Sequence, residues 1–225
     1  MRRAPRAGMG ESADSPRATR EGGAIVGSER RRLWTGTSPS GNPFALPRGP
    51  LGPLAGLLMA RGNRRQNAEV LAHCEVSPED DVLEVGHGPG VLLGLLAERA
   101  RTVTGVDPSP QMVRMALRRN FAAVRAGRVR LRVGSAEHTG APEASTDLVV
   151  SVNTVAMWPR LDPAVDELHR VLRPGGRLVL SWHLSPARFA LAPEEREEVR
   201  GALARRFGSA DTRDLRHGAV FVAQR

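Results

Sequence analysis

The run Val82-Leu83-Glu84-Val85-Gly86-His87-Gly88-Pro89-Gly90 decides the fold. Val82–Val85 reads as a strand, and Val91–Arg99, with Val91, Leu92, Leu95 and Leu96 at helical spacing, reads as a helix with those residues on its buried side. Between them Gly86, Gly88 and Gly90 let the chain turn sharply and let backbone approach a ligand with no β-carbon in the way. The helix that follows points its N-terminus at the same spot. A strand, a glycine turn and a helix in immediate succession open a βα unit.

The pattern repeats downstream. Strands are expected at Thr102–Val106, Val129–Val133, Leu148–Val152 and Arg177–Trp182. Helices are expected from Pro110, capped by Ser109, to about Asn120, over Pro163–Leu172 and over Pro193–Phe207. Pro174-Gly175-Gly176 is expected to stop the Pro163–Leu172 helix. Two short strands, near Ala210–Arg213 and Ala219–Ala223, flank Arg216-His217-Gly218. Alternation of this kind implies an α/β, Rossmann-like, doubly wound and mostly parallel sheet, seven-stranded, with an antiparallel strand at or near one edge. Upstream, Leu54, Leu57, Leu58, Val70 and Leu71 recur at helical spacing, which predicts a helical cap over 51–75 at the start of a domain covering 51–225. Residues 1–47, rich in Gly, Pro, Ser and Arg, read as a disordered tail.

Composition narrows the function classes. The chain has 225 residues and a net charge of +9, and all 33 basic residues are Arg. Residues 1–50 hold nine Arg against four acids, which leaves +4 for the remainder. Dispersed arginine marks a solvated face more readily than a nucleic-acid surface, so charge alone argues no such partner. The lone cysteine, Cys74, excludes an intramolecular disulfide and a cysteine zinc cluster, and no metal site is expected. No stretch approaches the roughly 20 apolar residues of a membrane span. The arginine-rich start lacks an apolar core behind it, so the cytoplasm is the expected compartment.

In a sheet of this kind ligands bind beside the carboxyl end of the first strand. The dinucleotide fingerprint requires a small residue at position 91, and Val91 stands there, which opposes a nicotinamide oxidoreductase. Val82–Gly90 instead resembles the first motif of class I S-adenosylmethionine-dependent methyltransferases, in particular the small type 11-like domain. Three further segments match it in order. Gly105-Val106-Asp107-Pro108-Ser109-Pro110-Gln111-Met112 ends the second strand, and the resemblance implies that Asp107 accepts the ribose hydroxyls and that Met112 lies against adenine; the alternative for Met112 is a place in the core. Val133-Gly134-Ser135-Ala136-Glu137 ends the third strand at the adenine edge, with Ser135 where the family often has Asp, and Glu137 as its substitute. Asp147–Asn153 and Glu167–Gly176 match the fourth strand and the turn before the fifth, with Asn153 over the methionine end of the cofactor.

The resemblance thus implies S-adenosyl-L-methionine as cofactor, held by Glu84, Gly86, His87, Gly88, Gly90, Asp107, Met112, Ser135, Ala136, Glu137 and Asn153. A sulfonium already makes the methyl electrophilic, so the protein aligns the acceptor and excludes water, and a base is needed only if the acceptor loses a proton early. His87, His138 and His183 are the candidates for that base. Asn153-Thr154-Val155-Ala156 is not the Asn/Asp-Pro-Pro-aromatic signature of amino-methylating enzymes. The chain has no large inserted domain. The acceptor pocket is therefore built from the cap, the loop after Asn153 and 183–192, which favours a small-molecule or lipid-like acceptor. The competing reading is a methyltransferase-like cofactor-binding module that partners nucleic acid or protein.

Overall fold

The computed structural model describes residues 63–184 and 190–225. The expected tail, the cap helix over Leu51–Ala60 and part of the 183–192 segment therefore lie outside the described residues.

Seven strands form one sheet: β1 (Asp81–Val85), β2 (Thr102–Asp107), β3 (Val129–Val133), β4 (Thr146–Val152), β5 (Leu172–His183), β6 (Asp211–Asp214) and β7 (Gly218–Gln224). Their order is β3-β2-β1-β4-β5-β7-β6. The first five are parallel, while β7 runs antiparallel to both β5 and β6. β1 lies between β2 and β4, so the strand order reverses beside it, where such sheets open a crevice at their carboxyl ends.

Each face has its own core. On one, α1 (Arg64–His73), α2 (Val91–Ala97) and α4 (Phe121–Arg125) pack Val70, Leu71, Leu92, Leu96 and Val124 against Val82, Val103, Leu148 and Val179. On the other, α5 (Leu161–Val171) and α6 (Pro193–Phe207) pack Leu168, Val199 and Leu203 against Leu83, Val149, Leu178 and Phe221. Period-two alternation along β1 sends Val82 and Glu84 to the first face and Leu83 and Val85 to the second. β4 shows burial along nearly its whole length, as a strand covered on both faces should.

Local signals place most boundaries. Ser109 caps α3 (Pro110–Arg119), accepting from the Met112 amide with Pro110 in the first turn. The segment before β5 departs from expectation. α5 ends at Val171 and β5 begins at once at Leu172, so Pro174-Gly175-Gly176 is a bulge within the strand and not a linker before it. Pairing goes from Thr146 with Leu172 to Leu148 with Arg177, and the residues between are looped out. Arg173, which precedes a proline and is biased to extended backbone, bonds Asp147 and Asp81. The Gly175 amide donates to the Arg225 carbonyl at 2.6 Å, which ties the bulge to the end of the chain. The short α4 and a 3-10 turn at Val155–Met157 are elements that periodicity did not signal. Among the described residues no helix is long and apolar enough to cross a membrane.

Candidate functional site

The turn Gly86–Gly90 sits at the carboxyl end of β1 and is held from three sides. Gly86 and Gly90 have φ of +72° and +77°. A β-carbon at Gly86 would overlap the Thr154 methyl, and one at Gly90 would come within 2.7 Å of both Ala116 Cβ and Asn120 Nδ2. Asn120 donates to the Gly90 carbonyl at 3.0 Å, and Arg119 Nε donates to the Pro89 carbonyl at 3.0 Å. Beneath the turn, Ser151 Oγ donates to the Val85 carbonyl at 2.7 Å and bonds Thr154, which also accepts from Trp158 Nε1 at 3.1 Å. Gly88 differs from its two neighbours. A β-carbon there would meet none of the described residues within 4 Å, so among them this is the point at which the turn is open to a ligand.

Asp107 ends β2 beside that opening. Its Oδ2 accepts from the Gly88 amide at 2.9 Å and its Oδ1 from the Ser109 amide at 2.8 Å. Each oxygen keeps a further lone pair. Burial pushes its carboxyl above the ordinary range, against the pull of His87 and the two amides. Glu84 lies one strand over, only 4% exposed, and its Oε2 has no partner. Burial raises its carboxyl well above the usual value, and the Asp107 charge adds to this. A buried carboxyl without a donor or cation is costly unless it is protonated or a ligand supplies one.

His87 is folded under its own loop. Its Nδ1 lies 2.8 Å from the Gly88 carbonyl, which can only accept, so Nδ1 carries the proton and Nε2 is left without a partner. The ring fills the space above Gly105, where a β-carbon would come within 2.9 Å of Cδ2. Burial lowers its basicity, with Asp107 and the Gly88 carbonyl acting in the opposite direction. Packed in this way, His87 braces the loop and presents no surface to an acceptor.

The remaining expected residues fall in several places. Met112 is 1% exposed, and its amide donates to Ser109, the residue that caps α3. Ser135 exchanges backbone bonds with His138 in a tight turn after β3. Ala136 is buried in the α5-side core. Glu137 is held by Arg160, which gives Oε1 its backbone amide at 3.1 Å and Oε2 two guanidinium bonds at 2.6 and 3.2 Å. His138 is exposed in the same turn. Asn153, at φ +58°, stands at the end of β4 with both ends of its amide engaged. It donates to Gln66 Oε1 at 2.8 Å and accepts from Gln66 Nε2 at 3.2 Å and from the His183 amide at 2.9 Å. The His183 ring packs on Trp182 with centroids 4.7 Å apart.

Sequence reasoning missed Gln66, which also donates to Ser181 Oγ at 3.0 Å and so joins α1 to the ends of β4 and β5. It also missed the pair of Glu69 with His217, in which Oε1 meets Nδ1 at 2.5 Å and Oε2 accepts the His217 amide at 2.9 Å. The signal available was weak: two polar residues three apart in a short helix, and a histidine in a hairpin turn.

Residues 83–180 match the family model described as a methyltransferase domain. The chain is 29% identical over 164 residues to the uncharacterized methyltransferase YdaC of Bacillus subtilis, covering 72% of this chain and 87% of that protein. It is 35% identical over 106 residues to the ubiquinone/menaquinone biosynthesis C-methyltransferase UbiE of Rubrivivax gelatinosus, covering 47% of this chain and 40% of that one. The chain thus spans most of the first relative and less than half the length of the second. A crystal structure of a SAM-dependent methyltransferase from Aquifex aeolicus shares the fold, with a TM-score of 0.59 and 19% identity over 70% of this chain and 88% of that one.

Proposed function

The chain belongs to the class I S-adenosylmethionine-dependent methyltransferases, and on that premise we propose that it transfers methyl to a small-molecule or lipid-like acceptor, with Gly86–Gly90, Glu84 and Asp107 as the cofactor cradle. The observation that carries this reading is the pairing of an open Gly88 with an amide-clamped Asp107, next to the unpartnered Glu84. The spare lone pairs of Asp107 suit the two ribose hydroxyls as charge-assisted acceptors. Glu84 lacks a cation, and the cofactor's α-ammonium is one. When bound, the cofactor supplies an electrophilic methyl on sulfur. Everything else is alignment and exclusion of water.

Asn153, locked by Gln66 and by the His183 amide, presents a fixed wall at the end of β4. Besides His87, the described residues bring His138, His183 and the Glu69-held His217 to this end of the sheet, and one of these imidazoles would take the proton should the acceptor need to lose one. A small acceptor is supported by the quinone named for the Rubrivivax relative. Calorimetry with S-adenosylhomocysteine tests the cradle, and NAD is expected not to bind. Incubation of the protein with metabolite extract and methyl-labelled cofactor tests the acceptor class. Label appearing only on nucleic acid or protein would overturn the small-molecule reading.

A further inference from the structure

The two faces of the sheet are not covered alike. On the side where α5 and α6 pack, residues 134–145, which join β3 to β4, carry no helix. Alternation along β2 and β3 sets Thr102, Thr104, Arg130 and Arg132 on that face, with Thr104 in register with Arg130. A cavity of about 420 Å³ lies there, lined by Arg101, Arg130 and Arg132 and by the hydroxyls of Thr102, Thr104 and Ser145. Asp81 and Thr102 begin their strands, so the cavity sits toward the amino ends, away from the glycine turn at the carboxyl ends.

The cavity has donors in excess. The one acid that the described residues bring to its lining, Asp81, is already engaged by Arg101, Thr102 and Arg173. Arg132 gives one nitrogen to the Gly140 carbonyl, and Arg130 has no partner among the described residues. A guanidinium has five N–H donors, so most of this capacity is unspent. Beside the lining, Asp147 is already spent on Arg173 and the Asp81 amide, and Glu143 is exposed to solvent. The chain's own first fifty residues, with nine Arg against four acids, are no complement either.

We infer that this cavity is a second binding site, for the phosphate or diphosphate group of a small molecule. Forked guanidinium donors match phosphate oxygens in pairs, which a point charge does not. The Thr104 hydroxyl adds a neutral donor, and Leu83 and Ala141 provide an apolar wall for the rest of the molecule. The volume falls in the range of small-ligand sites, roughly 300–1,000 Å³. The inference does not depend on the acceptor assigned above.

The test is calorimetric titration of inorganic pyrophosphate into the full chain saturated with S-adenosylhomocysteine, at fixed ionic strength. One saturable site is expected, weakened about tenfold or more by Arg130→Ala combined with Arg132→Ala, with affinity for S-adenosylhomocysteine unchanged. If the double variant folds poorly, the single Arg130→Lys should still lose pyrophosphate affinity while keeping S-adenosylhomocysteine. Absence of saturable binding, binding indifferent to these substitutions, or displacement of S-adenosylhomocysteine by pyrophosphate would each overturn the inference. So would an oligonucleotide that binds through the same arginines where pyrophosphate does not.

Discussion

The Gly88 amide donates to Asp107 Oδ2 at 2.9 Å, so the glycine turn and the carboxyl end of β2 are fixed to each other before any ligand arrives. The same carboxylate holds the Ser109 amide and with it the start of α3. One side chain therefore organises the ends of β1 and β2 and the cap of α3, and it still has lone pairs to offer.

Asp107→Ala should weaken S-adenosylhomocysteine binding by at least about tenfold, equivalent to ~1.4 kcal/mol. Isothermal titration calorimetry reads this directly. Asp107→Asn keeps the shape but brings a donor where two ribose hydroxyls would donate, and it should lose a comparable amount. Unchanged affinity in both variants would show that the ribose lies elsewhere.

The carboxyls of Glu84 and Asp107 are both raised, first by burial. A raised folded-state value means the folded protein holds these protons more tightly than the unfolded chain. Their contribution to stability is full below the unfolded value and is lost as pH rises through the folded one. A ligand that supplies an ammonium and two hydroxyl donors favours the ionised forms. Binding of S-adenosylhomocysteine should therefore release protons and strengthen as pH rises through the raised carboxyl range. Calorimetry in buffers of different ionisation enthalpy measures that release. Glu84→Gln should reduce it and flatten the pH dependence of the melting temperature. Proton uptake on binding would contradict the assignment.

Legibility of the sequence followed the range of the interactions. Ser109-Pro110, the three glycines and the apolar run of β4 are local signals, and each formed the element expected of it. Asp107 was legible because its distance from the turn follows from one helix and one strand. Gln66 with Asn153, 87 residues apart, was not, because only the packing of α1 across the sheet brings the two amides together. The hold of Arg160 on Glu137, from the start of α5, was hidden for the same reason. The bulge at Arg173–Gly176 was hidden because a proline-glycine turn between a helix and a strand reads the same whether or not it stays in the ladder.

The glycines of the turn should separate folding from binding. Gly86→Ala adds a β-carbon onto Thr154 at positive φ, an overpacking typically worth about 1–3 kcal/mol. It should lower the denaturant midpoint clearly. Gly88→Ala meets open space, so it should cost only about 1–2 kcal/mol for its left-handed backbone while weakening S-adenosylhomocysteine binding about tenfold or more by filling the approach. Chemical denaturation paired with calorimetry gives both numbers for each variant. If Gly88→Ala binds as the parent does, the ligand does not approach the turn there.

Gln66 and Asn153 exchange two hydrogen bonds in a buried setting, and each amide has other partners in Ser181 and the His183 amide. Removing either side chain strands the other's polar atoms, at about 1–3 kcal/mol each. Removing both leaves fewer orphans than the two single losses together, so the double variant Gln66→Ala/Asn153→Ala should be less destabilised than the sum of its parts. A coupling of about 0.5–3 kcal/mol in a denaturation double-mutant cycle is expected. A structural clamp and nothing more would change stability alone. If the pair also fixes the wall of the cradle, Gln66→Ala should weaken S-adenosylhomocysteine binding although Gln66 belongs to α1 and not to the glycine turn. Additive stabilities together with unchanged affinity would show that α1 is held by its apolar face, through Val70 and Leu71, and that the amide pair fixes neither the helix nor the cradle.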